Sequence, residues 1–198
     1  MDGKGNAALK GELVHPLTRA EWRRWLEANH TRQVGVWLVM YKPATGKPRV
    51  RYEEAIEEAL CFGWVDAQAK TLDAERSLLW FAPRKKGSVW AKTNKARVER
   101  MLAAGKMTAA GLAKIEAAKA DGSWSLLDEV DQLIVPPDLA AALAALPPAA
   151  DNFAAFPPSV RHNILGWIAL AKRAETRAAR IAETARLAAQ GKRVNQQR

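Results

Sequence analysis

The chain has 198 residues, 48% of them apolar, and a formal charge of +10 from 31 basic and 21 acidic side chains. This length and apolar content exclude a wholly disordered chain and suffice for one large domain or a domain with a helical appendage. A lone cysteine, Cys61, excludes an internal disulfide and a cysteine-based metal cluster, and His15, His30 and His162 match no metal-ligand spacing, so neither metal nor cofactor is expected.

Residues 1–11 lack the apolar run of a secretory leader, and nothing later approaches the roughly 18 uninterrupted apolar residues of a membrane span. A soluble, cytoplasmic protein without membrane insertion is expected, with flexible ends at 1–11 and 194–198. Thr18 and Glu21 form a capping box for a first helix, in which Leu17 staples against Trp22 and the stripe Trp22, Trp25, Leu26 is buried. Gly35 to Tyr41 is a continuous apolar, β-rich run and reads as a central strand. Tyr52 to Cys61 reads as a helix with Tyr52, Ala55, Ile56, Ala59 and Leu60 inward and Glu53, Glu54, Glu57 and Glu58 on a solvated outer face. Residues 63–70 and 76–82 read as two strands around an Asp73-Ala74-Glu75 turn, completing a small antiparallel sheet of about three strands.

Beyond Pro83 the pattern is helical. Ser88 caps a helix to about Ala104, and Thr108 caps another to about Lys119. Residues 123–137 read as a linker or long loop. Proline pairs at 136–137, 147–148 and 157–158 delimit two short Ala-rich helices, and Ser159 caps a long helix to about Ala189. The fold class is therefore α+β, predominantly helical. An α+β domain is expected over 12–122, with a helical C-terminal region over 136–193 packed on it.

Charge is segregated along the chain. From Arg84 to Lys106 eight basic residues face one acid, Glu99, and residues 159–198 hold nine against Glu175 and Glu183, so each stretch is net +7. Such segregation makes an oriented field that favours anionic partners. Placed at 100° per residue, the helix after Ser88 buries Trp90, Val98, Met101 and Leu102, with Asn94 inside the arc and Arg97 at its edge. The same construction puts Glu175 on the apolar face of the last helix, with Lys172 bordering it. A buried carboxylate needs a partner, and Arg97 or Arg84 is expected to meet Glu175.

Two readings of this set compete: a structural salt bridge that docks the last helix, with Asn94 satisfying a loop, and a pocket in which Arg84, Lys85 and Arg97 bind a carboxylate or phosphate, Trp90 supplies a wall and Glu175 holds one guanidinium in place. The candidate ligand-binding set is Arg84, Lys85, Trp90, Asn94, Arg97, Lys172 and Glu175. Asp66, on a strand face with Trp64 and Gln68, is the one candidate general base, although no histidine, serine or second carboxylate accompanies it. The outward Arg173, Arg177 and Arg180 read either as a solvated face or as phosphate contacts.

Residues 59–66 (A-L-C-F-G-W-V-D), Phe81 to Lys85 with Trp90, Asn94 and Arg97 to Glu99, Gly105 to Met107 and Ala110-Gly111 resemble the bacteriocin-protection, YdeI or OmpD-associated family. So do Pro157 to Ser159, Trp167-Ile168, Ala171 to Arg173, Glu175 to Arg177 and Arg180-Ile181. The resemblance implies a stress or bacteriocin-protection role, with no established reaction, cofactor or catalytic set. Combined with the basic, tryptophan-bearing face, it points to a non-enzymatic protein that binds an anionic small molecule or an acidic protein surface. The alternatives are a nucleic-acid-binding protein, and an enzyme acting on an anionic small molecule with Asp66 as acid/base between Arg84 and Arg97.

Overall fold

The computed structural model describes residues 10–194, which divide into two compact units. The first comprises the chain through Ser88 plus Thr93–Asp121, and the second Val89–Lys92 plus the chain from Gly122 onward. The protein is α+β and helix-rich. Its sheet has four strands and is mixed, a correction to the three antiparallel strands expected. The order is β1 (Glu12–Val14), β2 (Val36–Tyr41), β4 (Arg76–Pro83), β3 (Trp64–Thr71), with β1 parallel to β2 and the other pairs antiparallel. Three residues are too few to show a period, and Glu12 and Leu13 are exposed, so β1 carries no periodic signal.

In the first unit β2 is buried over nearly its whole length because both sheet faces are apolar. Val36 and Leu38 lie opposite Phe81 and Leu79, and on this face Trp22 of α1 (Arg19–Asn29) packs on Phe81 at 5.3 Å. Trp37, Val39 and Leu78 form a cluster on the other face, with Trp80 against Trp37 at 5.1 Å. Thr18 caps α1 by accepting from the Glu21 amide at 3.2 Å, while the Glu21 carboxylate accepts from the Leu17 amide, so the reciprocal bond of a full capping box is shifted by one residue. A short 3-10 turn at Pro43–Thr45 leads to α2 (Tyr52–Cys61), which packs against α4 (Ala109–Ala120). Thr108 both caps α4 and donates its hydroxyl to the Cys61 carbonyl at 2.6 Å. The two helices approach so closely there that a Cβ on Gly111 would lie 2.3 Å from that carbonyl oxygen.

The helix expected from Ser88 starts later, as α3 (Lys92–Ala103). The Ser88 hydroxyl accepts from Arg84 Nη1 at 3.3 Å, which takes it away from capping. Trp90 therefore lies before the helix. Val98 and Met101 are buried as expected, whereas Leu102 is exposed.

In the second unit the segment expected as a linker contains α5 (Asp128–Asp131), anchored by buried Val130 and by a 2.8 Å contact between Asp131 and His162. Helices α6 (Pro137–Ala144) and α7 (Ala149–Ala155) follow the proline punctuation. The long C-terminal helix is two helices, α8 (Pro158–Ala169) and α9 (Ala174–Ala189). Neither proline nor glycine marks the break. Arg180 of α9 folds back over the Trp167 ring, 4.8 Å from its centroid, and donates to the Trp167 carbonyl, one of the unpaired carbonyls at the end of α8. Leu139, Leu143, Phe153, Ile164, Ile168, Ile181 and Ala185 form this unit's core.

Candidate functional site

The main polar feature of the first unit is a network of arginines on the acidic residues of α2. Glu58 is 1% exposed and receives Arg19 Nε at 2.5 Å and Arg23 Nη1 at 2.7 Å. Glu57, also buried, pairs with Arg19 at 3.1 Å and Arg100 at 2.9 Å. Glu53 takes Arg97 through two parallel bonds of 2.6 and 2.9 Å, and Glu54 takes Arg51 at 2.6 Å. The solvated acidic face expected for α2 is thus corrected at Glu57 and Glu58, which arginines from α1 and α3 cover. A buried carboxylate is tolerated only with this kind of pairing, and the fork-shaped guanidinium supplies it better than an ammonium.

A second cluster lies beside the network. Asp66, on β3 at the edge of a register shift to Ala69, faces Tyr52, Arg84 and Arg97. Burial pulls the Arg84 guanidinium down to about 10, with Asp66 opposing that shift. Arg84 is 3% exposed and donates to the Ser88 carbonyl and hydroxyl. Burial raises the Tyr52 phenol, and the neighbouring Asp66 carboxylate raises it further. Hydrogen bonding to Glu53 raises Arg97, which also donates to Asn94 Oδ1 at 2.8 Å. Among the expected site residues, Asp66, Arg84, Asn94 and Arg97 therefore share one region of the first unit.

The remaining candidates have other surroundings. Lys85 is exposed in the loop after β4. Trp90 packs on Trp124 with centroids 4.9 Å apart inside the second unit. Lys172 and Glu175 are exposed around the α8–α9 break. Within the first unit Arg97 is engaged by Glu53, and within the second Glu175 stands in the first turn of α9, where a carboxylate complements the helix dipole. The break resets the angular phase of α9, which is why a continuous wheel put Glu175 on the buried face.

Sequence reasoning missed two participants. Tyr52, expected inward, is 49% exposed and stands beside Asp66. Arg49, with no assigned role, lines an open depression of about 560 Å³ together with Arg19, Pro43, Arg51, Tyr52, Glu53, Glu54 and Glu57. A readable signal existed: Arg19 and Arg23 on α1, spaced i,i+4, complement the glutamates of α2. Among the described residues no group of three His, Cys, Asp or Glu side chains is placed to hold a metal, and no helix is long and apolar enough to cross a membrane.

These features define a helix-rich α+β protein with an arginine-carboxylate network beside an open polar depression. Residues 14–114, just over half the chain, match the domain of unknown function DUF8412, and the chain belongs to that family. Residues 132–191, in the C-terminal part of the chain, match the family described as bacteriocin-protection, YdeI or OmpD-associated. The motifs between Ala59 and Gly111 that suggested the latter family thus fall within the former match. No curated protein and no solved structure matches the chain.

Proposed function

We propose that the protein is a non-enzymatic, cytoplasmic binding protein serving stress or bacteriocin protection, and that it docks an acidic protein surface through exposed lysines. The observation that carries this reading is the division of labour among the cations of the basic stretch. Its arginines Arg84, Arg97 and Arg100 are engaged by Ser88, Glu53 and Glu57, whereas Lys85, Lys86, Lys92 and Lys106 are exposed and make no ion pair with described residues. Lys172 and Arg173 are likewise exposed at the α8–α9 break. Flexible ammonium groups in solvent favour diffuse, long-range attraction over an enclosed anion pocket. The match of residues 132–191 supports the protective role only through that family's description.

The test uses polyglutamate as a mimic of an acidic protein and single-stranded DNA as a competitor, both followed by fluorescence anisotropy at two salt concentrations. Polyglutamate should bind with micromolar or weaker affinity and lose most of it in Lys85→Glu/Lys86→Glu. Unchanged binding in that double variant would sink the proposal. Tighter binding to DNA, with a steep loss on adding salt, would favour nucleic acid instead.

The cluster of Asp66, Tyr52, Arg84 and Arg97 favours a second reading, an enzyme acting on an anionic small molecule with Asp66 as acid/base. Asp66→Asn would then abolish turnover while leaving the circular-dichroism spectrum and melting temperature of the protein unchanged.

A further inference from the structure

The depression at the start of α2 is distinct from the exposed lysines, and its charge balance indicates what it takes. Each of its three glutamates is already neutralised: Glu53 by Arg97, Glu54 by Arg51, and Glu57 by Arg19 and Arg100. Counting Arg23 and Glu58, which complete the network, six arginines (19, 23, 49, 51, 97, 100) stand against four glutamates (53, 54, 57, 58), an excess of two positive charges. Arg49 makes no hydrogen bond or ion pair with described residues, yet it lines the depression. The Arg51–Glu54 pair beside it is a surface i,i+3 contact with the arginine side chain 73% exposed, so Arg51 can turn to a ligand at little cost. The volume, about 560 Å³, is far larger than an inorganic anion and falls in the range of small-molecule clefts. Pro43 and the half-exposed ring of Tyr52 supply apolar wall.

We propose that this depression is a binding site for a small organic phosphate, whose dianionic group is held by Arg49 and Arg51 and whose organic part lies on Tyr52 and Pro43. A phosphate monoester carries about −1.5 to −2 at neutral pH and matches the excess of charge, which a monocarboxylate would leave half compensated. Two guanidinium forks suit its oxygens. The Tyr52 hydroxyl, turned toward Asp66, leaves the ring face for the ligand.

The experiment is a titration of the full chain with phenyl phosphate, inorganic phosphate and benzoate, followed by amide chemical shifts and by calorimetry. Phenyl phosphate should saturate at millimolar or lower concentration, shift resonances at residues 43–54, and bind more tightly than either other probe. Arg49→Gln, a loop change at a half-buried side chain that makes no hydrogen bond or ion pair with described residues, should leave the fold intact by circular dichroism and weaken phenyl phosphate roughly tenfold or more, as expected for a lost charge-assisted bond. Tyr52→Ala should weaken phenyl phosphate while leaving inorganic phosphate unchanged. Equal binding by wild type and Arg49→Gln, shifts confined to other residues, or benzoate binding as tightly as phenyl phosphate would each overturn the assignment. Lys85→Glu/Lys86→Glu should leave phenyl phosphate binding unchanged, which separates this site from the lysine surface.

Discussion

Replacing Glu58 by glutamine tests the architecture of the first unit most directly. Glu58 is 1% exposed, and its two oxygens are taken separately by Arg19 at 2.5 Å and Arg23 at 2.7 Å. Glutamine keeps the shape but removes the charge and turns an amide donor toward one guanidinium. Breaking a buried ion pair from one side costs about 3–5 kcal/mol because the remaining charge is left uncompensated. Here the arginine side chains are 28% and 34% exposed, so water reaches them and the lower end applies, about 3 kcal/mol. For a chain of this length that corresponds to a fall in melting temperature of roughly 6–12 °C. Urea denaturation followed by tryptophan fluorescence reads it, and the control is Glu54→Gln, whose exposed partner limits the loss to below about 1 kcal/mol. Equal losses in the two variants would refute the argument that burial, and not the mere presence of an arginine, sets the worth of these pairs.

Gly111→Ala should cost about 1–3 kcal/mol in the same urea assay, because its Cβ would sit 2.3 Å from the Cys61 carbonyl and separate α4 from α2. Cys61, buried and pushed up to about 11 mainly by desolvation, should resist a thiol reagent at pH 8 in the native protein and react at once in denaturant. Hydrogen bonding from Arg97 holds Glu53 below the usual carboxylate range, and Arg177 does the same for Asp138. Groups whose folded pKa is depressed contribute stability above their unfolded values, about 4.5 and 3.8, and lose it as pH falls through the folded values. Melting temperature should therefore drop below about pH 4.5, and Glu53→Gln should shallow that slope slightly, since the carboxylate is largely exposed. Arg180→Ala should lose about 1 kcal/mol, read by thermal denaturation, by removing both the stack on Trp167 and the bond to its carbonyl.

Elements whose signal is local were legible in the sequence. The cap at Thr18, the apolar run of β2, the Asp73–Glu75 turn, the cap at Thr108 and the proline start of α6 all depend on neighbours a few residues away, and each lies where those neighbours put it, whereas α8 starts at Pro158 and takes Ser159, expected as its cap, inside the helix. Features that depend on distant partners were not. The outward-reading glutamates of α2 are interior because α1 and α3 deliver arginines to them, a fact no helical wheel of α2 contains. The α8–α9 break has no helix-breaking residue and rests on Arg180 reaching back to Trp167. Once that break was missed, the phase carried through it moved Glu175 to the wrong face. For the candidate site, Asp66, Arg84, Asn94 and Arg97 were legible as polar residues near apolar faces, whereas Tyr52 was hidden because an aromatic at a helix start reads as core.

The basic stretch from Arg84 to Lys106 also explains why net charge alone is a poor guide to a site. Its arginines hold planar, two-pronged contacts at fixed geometry, as Arg97 does on Glu53, and such contacts order helices against one another. Lys85, Lys86, Lys92 and Lys106 remain in water, where they contribute field without geometry. A ligand needing defined orientation must therefore be sought where an arginine is left without a carboxylate, and at Arg49 an open depression, an aromatic wall and an excess of positive charge coincide. A partner needing only attraction can use the lysines. The two kinds of recognition respond differently to salt: binding at Lys85 and Lys86 should weaken steeply as ionic strength rises, while a bidentate contact at Arg49, partly shielded from solvent, should weaken less.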